Sequence, residues 1–285
     1  MDLTAYLLIA LKGSVALLIF AVGLDSRLRD LSYLTRRPGV MLRSLLAMYV
    51  VVPLLALTAV RLLQLPTGLE LALVVLAISA GAPMLPRKLM RLGNEEYVIS
   101  LVIVSSLLAI LTVPAWLLLL GPHFDRLDVL DPATVAGVLG KSFLLPMLLG
   151  IAVRWLLPDA SARLSDVLLK VVGIVFSACA LTLLATHWQV IGAILGLPIL
   201  TLGGFTLAAL GVGHLMGGPD PSDRTALAVT CATRHVGVAM VIAAATPGPR
   251  TVVLIVAYVL ASALVIIPYM KWRGRVTPAG PQRSK

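Results

Sequence analysis

Long runs of apolar residues, separated by short basic loops, constrain this chain more than any other feature. Nine such runs of roughly 17–25 residues can be counted, which is the length that a helix needs to cross the hydrocarbon core of a bilayer. They are the segments Tyr6–Gly23, Val40–Leu63, Leu69–Leu92, Tyr97–Leu120, Thr134–Leu157, Leu164–Thr186, Val190–Met216, Thr225–Ala245 and Thr251–Tyr269. Charged residues make up only 13% of the 285 residues, against about 25% in soluble domains. The sequence therefore predicts an all-α, polytopic membrane protein with nine transmembrane helices.

Several classes of protein are excluded by the same sequence. The runs do not show the alternation over about ten residues that is typical of a transmembrane β-barrel. The net charge of +10 is not gathered into a basic helix with interleaved aromatic residues, so no nucleic-acid partner is expected. We find no nucleophile elbow, phosphate-binding loop or metal-ligand spacing, and therefore expect neither an enzyme nor a metal site.

Lysine and arginine are distributed unevenly between the two sets of alternate loops. One set, together with the C-terminal tail, holds 16 of the 23 basic residues, and the opposite set holds three. Because cytoplasmic loops carry an excess of these residues, we expect the N-terminus outside and the C-terminus in the cytoplasm. Residues 1–270 are predicted to form one transmembrane domain, and residues 271–285 a disordered basic tail.

Two of the nine runs contain residues that interrupt a helix. The third run reads "LALVVLAISAGAPMLPRKLMRLG" and includes Pro83 and Pro86, while the eighth reads "RTALAVTCATRHVGVAMVIAAATPGP" and has Arg234 and His235 at its centre. Broken backbone inside a bilayer is tolerated only where it is buried in protein or lines a cavity. The two runs lie five spans apart and so run in opposite directions, as in transporters with inverted repeats. We expect their breaks to cross and to form a substrate site.

Three segments carry a resemblance to a known family. They are "FAVGLDSRLRDLSYLTRRPGVMLRSLLAMYVVVPLLAL", "LVIVSSLLAILTVPAWLLLL" and "DRTALAVTCATRHVGVAMVIAAA". Over nearly its whole length the chain resembles the bile acid:sodium symporter family, as a divergent bacterial-type member. The resemblance implies two inverted five-helix repeats, arranged as a panel and a core domain, with the first helix missing here. It also implies two broken helices that cross near the midplane, with substrate and sodium sites beside the crossing.

The sodium ligands that this resemblance implies are largely replaced in this chain. The family positions that supply side-chain oxygen atoms fall at Met48, Thr230, Arg234 and His235, and a Ser-Asn pair is replaced within "GAPMLPRK". Apolar groups and a cation are poor partners for an ion that binds oxygen atoms. We therefore expect no cofactor and no dependence on sodium at these positions, with a proton on His235 as an alternative coupling ion.

Arg234 has two competing interpretations. A central arginine costs about 2.5–3.5 kcal/mol on insertion scales, so a partner has to offset that cost. In the first interpretation the guanidinium binds the carboxylate of an anionic substrate, for which its forked donors are suited. In the second it forms a permanent ion pair, for example with Glu95 or Glu96, and locks the crossing. His235 either faces the cavity or packs as a hydrogen-bonded polar group.

The predicted substrate-binding residues are those that lie in or beside the two breaks. They are Arg234, His235, Thr230, Thr233, Pro83, Met84 and Arg87. Arg87 also has a simpler explanation, because it comes after the third run on the cytoplasmic side, where positive charge is ordinary.

The function that these observations predict is secondary transport of a small organic anion across the plasma membrane by alternating access. Two alternatives stay open. One is an exporter or a carrier of arsenic oxyanions, for which Cys231 at the second break would matter. The other is a sensor or scaffold that keeps the fold without transport. The predicted partners are the anion and the lipid bilayer, and the oligomeric state is left open.

Overall fold

The computed structural model describes residues 3–26, 36–79, 95–124, 131–186, 195–244 and 250–276, which are almost entirely helical. Within these ranges we number ten helices in chain order. They are α1 (Leu3–Asp25), α2 (Pro38–Leu63), α3 (Thr67–Ile78), α4 (Glu95–Leu120), α5 (132–156), α6 (Pro158–Thr186), α7 (Leu197–Met216), α8 (Pro221–Ala232), α9 (Val236–Ala244) and α10 (Arg250–Val276). The predicted all-α class is confirmed.

Four of the described helices are long and apolar enough to cross a membrane. They are Pro38–Leu63, Ala133–Leu156, Leu197–Met216 and Thr251–Val276. A fifth is α4 if its two parts count as one span, since they meet at an angle of 43°. Among the described residues, the Gly13–Asp25 part of α1 and the helix α3 are apolar stretches that are shorter than a full span. The molecule is thus a multi-pass membrane protein, and the number of nine spans stays a prediction.

The surface of the molecule agrees with a lipid environment. Many leucine side chains are exposed on the outer faces of the helices, among them Leu111, Leu118, Leu200 and Leu264. A soluble protein rarely exposes contiguous apolar surface on this scale, because water makes it costly. In a bilayer the same side chains meet lipid tails, so no such cost arises.

The helices α2 and α5 each contain one π-helical turn just before a proline. These turns are Ala47–Val51, ahead of Pro53, and Gly140–Leu144, ahead of Pro146. A proline lacks the N–H that would bond to the preceding turn, and a π-turn accommodates one extra residue in a helix. Each turn therefore leaves a backbone carbonyl without its usual partner in the helix.

Contacts between the helices divide the molecule into two groups. The first group contains α1, α5 and α6, and the second contains α2, α3, α4 and α7 to α10. Gly23 of α1 and Gly150 of α5 bring their backbones together, and a Cβ on either glycine would clash with backbone of the other helix. The two groups touch mainly where α4 packs along the first part of α5 and its π-turn, and also where α6 packs against α10 and α1 against α9.

The C-terminal helix extends further than the sequence predicts. The helix α10 ends at Val276, so the predicted tail boundary at residue 271 falls inside a helix. Arg273 explains this extension, because its side chain is buried and donates hydrogen bonds to the Thr225 hydroxyl and to the Pro221 carbonyl of α8, both at 2.8 Å. The remainder of the predicted tail, residues 277–285, lies outside the described residues.

Candidate functional site

The predicted break in the eighth apolar run is present. The helix α8 ends at Ala232, Thr233 has an extended backbone with φ −95° and ψ 104°, and α9 begins at Val236. The third run changes conformation in a similar way, because α3 ends at Ile78 and Ser79 is extended with φ −75° and ψ 92°. The rest of that run, residues 80–92, lies outside the described residues.

The two interrupted runs meet at their extended residues. The backbone N–H of His235 donates to the backbone carbonyl of Ser79 at 3.3 Å. The helix α9 also packs against α3, and α10 packs against both. The structure therefore brings together the two segments that sequence reasoning paired.

Arg234 lies at the centre of this meeting point. Its side chain is only 1% exposed, and each of its three side-chain nitrogen atoms donates to a backbone carbonyl. Nε donates to Leu76 at 3.0 Å, Nη1 and Nη2 donate to Met48 at 3.3 Å, and Nη2 also donates to Ala77. Hydrogen bonds from a charged donor contribute about 1.5–3 kcal/mol each, so together they outweigh an insertion cost of about 2.5–3.5 kcal/mol.

The three carbonyls are available because of how α2 and α3 are built. Leu76 and Ala77 belong to the last turn of α3, where helix carbonyls have no partner within the helix. The π-turn of α2 frees the third carbonyl, since the N–H of Val52 bonds to Ala47 and Pro53 has no N–H to offer Met48. The negative end of the α3 dipole adds to the attraction for a cation.

Tyr258 of α10 completes the hydrogen bonding of the break. Its hydroxyl accepts the backbone N–H of Arg234 at 2.9 Å and donates to the carbonyl of Ala232 at 2.5 Å. These two backbone groups have no helical partner at the end of α8, and burial without partners would cost about 1–3 kcal/mol for each of them. Sequence reasoning missed Tyr258, because a tyrosine inside an apolar run carries no signal of this role.

His235 points toward the other group of helices. Its ring packs edge-on against Phe143 in the π-turn of α5, with ring centroids 4.4 Å apart. Nδ1 accepts the backbone N–H of Val238 at 3.3 Å, which places the proton of the neutral ring on Nε2. Nε2 is buried and has no hydrogen-bond partner among the described residues. Among the described residues it is the only buried side-chain nitrogen atom without a hydrogen-bond partner, and its N–H is available to a ligand.

The other predicted site residues differ in how they are placed. The Thr230 and Thr233 hydroxyls each donate back to their own helix, to Ala226 at 2.8 Å and to Val229 at 2.6 Å. Pro83, Met84 and Arg87 lie outside the described residues. The same holds for the side chains of Glu95 and Glu96, although Glu95 begins α4, two residues before the fourth apolar run.

Among the described residues, Met48, Thr230 and Arg234 stand at positions where the resemblance implies sodium ligands. Met48 contributes only its carbonyl, which the Arg234 guanidinium already occupies. The Thr230 hydroxyl bonds within its helix, and Arg234 is itself a cation. Cys231, which the arsenic alternative would use, is fully buried in the apolar core of the second group.

The fold and the site define a multi-pass helical membrane protein in which the break between α8 and α9 meets the C-terminal end of α3 around a buried arginine. A comparison with the sequence models of known protein families identifies the family within this class. The model of the Sodium Bile acid symporter family matches residues 14–196, which is well over half of the 285 residues. The chain belongs to this family, whose members are transporters. No curated protein matches the chain. The matched range ends before α7, so Arg234 and His235 lie beyond it.

Proposed function

We propose that this protein is a secondary transporter that moves a small organic anion across a bacterial-type plasma membrane by alternating access. The observation that carries the proposal is the meeting of the break between α8 and α9 with the end of α3, where the His235 N–H is bonded to the Ser79 carbonyl. Broken helices of opposite direction that meet inside the bilayer are the usual location of substrate sites in secondary transporters. Membership of the symporter family supports the same conclusion.

An anion suits the chemistry of this location. Arg234 supplies a positive charge that cannot be lost by deprotonation, and its neighbour His235 supplies a buried donor, Nε2–H. Because the nitrogen atoms of Arg234 already donate to carbonyls, Arg234 attracts the anion by its field, and His235 makes the direct hydrogen bond. This assignment modifies the first interpretation of Arg234, in which the guanidinium itself grips the carboxylate.

The position of His235 fits alternating access. Its ring contacts Phe143 of α5, and Val15 of α1 lies against Gly237 so closely that a Cβ would not fit there. Both contacts join the second helix group, which holds the break, to the first group. A site at this boundary changes its access when one group moves against the other. Thr230, Thr233, Pro83, Met84 and Arg87 complete the proposed surroundings of the anion.

Transport without sodium is part of the proposal, since the sodium positions hold an apolar side chain, a cation and a hydroxyl that donates to its own helix.

We also propose that the N-terminus is outside and the C-terminus cytoplasmic, from the 16-to-3 distribution of basic residues. A reporter fused after Lys285 should be active only in the cytoplasm. Activity only on the outer side would contradict both the orientation and the pairing of the two breaks.

The experiment that tests the proposed function begins with the purified full-length protein. A panel of labelled bile acids, keto acids, pantoate-like acids, steroid sulfates and arsenite is screened for a rise in melting temperature. Each compound is then tested for uptake and release in proteoliposomes. Saturable flux of an organic anion supports the proposal, and flux of arsenite alone supports the arsenic alternative. Thermal stabilisation without any flux would instead identify a sensor.

A further inference from the structure

Three backbone carbonyl oxygen atoms converge on the guanidinium of Arg234. They belong to Met48, Leu76 and Ala77, and we call them the carbonyl cage. Each is free for a reason that does not involve Arg234. Leu76 and Ala77 end a helix, and Met48 stands in a π-turn ahead of Pro53. The cage is therefore a feature of the backbone, which the arginine side chain enters from the other interrupted segment.

We propose that the carbonyl cage is a binding site for a small monovalent cation, and that this chain fills the site permanently with its own Arg234. Carbonyl oxygen atoms at the C-terminal ends of interrupted membrane helices are ligands for monovalent cations. The negative end of the α3 dipole strengthens the attraction for any cation at this position. The guanidinium stays attached to the chain, so the cage does not exchange its cation with the solution.

Removal of the Arg234 side chain should leave the carbonyl cage open to a cation from solution. Truncation to alanine leaves three buried carbonyl oxygen atoms without donors, together with an uncompensated helix end. A free guanidinium ion carries the same planar set of donors and fits the space that the side chain leaves. Sodium carries the charge without the donors. Both ions should stabilise the alanine variant, and guanidinium should do so at lower concentrations.

Arg273 provides a matched control, because it is also a buried arginine with hydrogen bonds inside the second helix group. It donates to the Thr225 hydroxyl and to the Pro221 carbonyl in the first turn of α8. That turn is the positive end of a helix, where a cation gains nothing from the dipole. The space that Arg273→Ala creates should therefore respond weakly to cations.

The test uses the purified full-length protein and needs no transported anion. Melting temperatures of wild type, Arg234→Ala and Arg273→Ala are measured in choline chloride, with guanidinium chloride or sodium chloride added in the low millimolar range. We expect Arg234→Ala to melt roughly 5 °C or more below wild type. Guanidinium should restore at least half of this loss in a saturable way, and should change the melting temperatures of wild type and Arg273→Ala only slightly.

Three results would overturn the proposal: an unchanged melting temperature for Arg234→Ala, no response of that variant to guanidinium, or an equal response of all three proteins. If Arg234→Ala gives no folded protein, Arg234→Lys and Arg234→Met are compared for folded, monodisperse yield. Lysine, which keeps the charge, should give folded protein where methionine does not, and equal yields would contradict the cage. Because the test involves no flux, its failure is distinguishable from a failure of the proposed transport function.

Discussion

Arg234 and Met48 lie 186 residues apart in the chain, and both terminal nitrogen atoms of the arginine donate to the methionine carbonyl at 3.3 Å. This contact ties the π-turn of α2 to the break between α8 and α9. The bond from Nε to Leu76 ties the same break to the end of α3. One side chain thus holds three segments of the second helix group together through backbone atoms, which no side-chain substitution in α2 or α3 can remove directly.

The Tyr258 hydroxyl offers a way to test how the break is held in place. Tyr258→Phe removes both hydrogen bonds of that hydroxyl and leaves the N–H of Arg234 and the carbonyl of Ala232 buried without a partner. The expected loss of unfolding free energy is about 2–4 kcal/mol. Thermal unfolding of the purified protein measures it, with Tyr6→Phe on the exposed surface of α1 as the control. Equal melting temperatures for the two variants would contradict this assignment.

His235 should affect binding more than stability. In His235→Asn the new side chain can still accept the N–H of Val238 near the start of α9, but the Nε2–H donor is lost. We expect a nearly unchanged melting temperature and an affinity for the anion about tenfold to a hundredfold weaker. Isothermal titration with the anion identified by the panel measures this loss. His214→Asn, at the far end of α7, is the control, and an equal loss there would refute the direct contact.

The contact between α1 and α5 can be tested by two glycine substitutions that should change the stability of the fold in opposite directions. A Cβ at Gly150 would collide with the Phe20 carbonyl of α1, whereas a Cβ at Gly137 in the same span meets nothing within 4 Å. Gly150→Ala should therefore destabilise the fold by about 1–3 kcal/mol through overpacking. Gly137→Ala should stabilise it by up to about 1 kcal/mol through helix propensity. A change of stability in the same direction for both variants would contradict the close approach of α1 and α5.

The membrane potential should act on transport in a definite direction if Arg234 stays attached to the protein. Each monovalent anion then carries one uncompensated negative charge, and an inside-negative potential of 100 mV opposes uptake by about 2.3 kcal/mol. We expect a roughly fiftyfold lower accumulation ratio at that potential. Proteoliposomes with a potassium gradient and valinomycin measure it. Faster uptake at inside-negative potential would show that two or more cations accompany the anion, against this account.

The features of this structure that depend on local properties of the sequence could be predicted, whereas those that depend on tertiary contacts could not. The helical membrane class and the interruption at residues 233–235 result from apolar length and from an arginine inside a span, which are local properties. The pairing of the two broken segments is also predictable from the sequence, because their separation by five spans sets their relative direction. The hydrogen bond between His235 and Ser79 agrees with that pairing.

The partners of Arg234 could not be predicted in the same way. The sequence suggested a carboxylate as the partner, either of a substrate or of Glu95 or Glu96. Carboxylate side chains can be identified in a sequence, whereas an unpaired backbone carbonyl cannot. The Met48 carbonyl is free because the N–H of Val52 bonds to the Ala47 carbonyl instead. That arrangement depends on tertiary packing, which the sequence does not display. The extension of α10 to Val276 depends in the same way on tertiary contacts of Arg273.

Replacement of sodium during transport tests the central claim most directly, namely that the cation at the crossing belongs to the protein. Initial uptake of the identified anion into proteoliposomes is measured at fixed pH while sodium is exchanged for choline. With Arg234 filling the carbonyl cage, the rate should change little across the whole range. A steep dependence on sodium, with two or more ions required for each anion, would contradict the account.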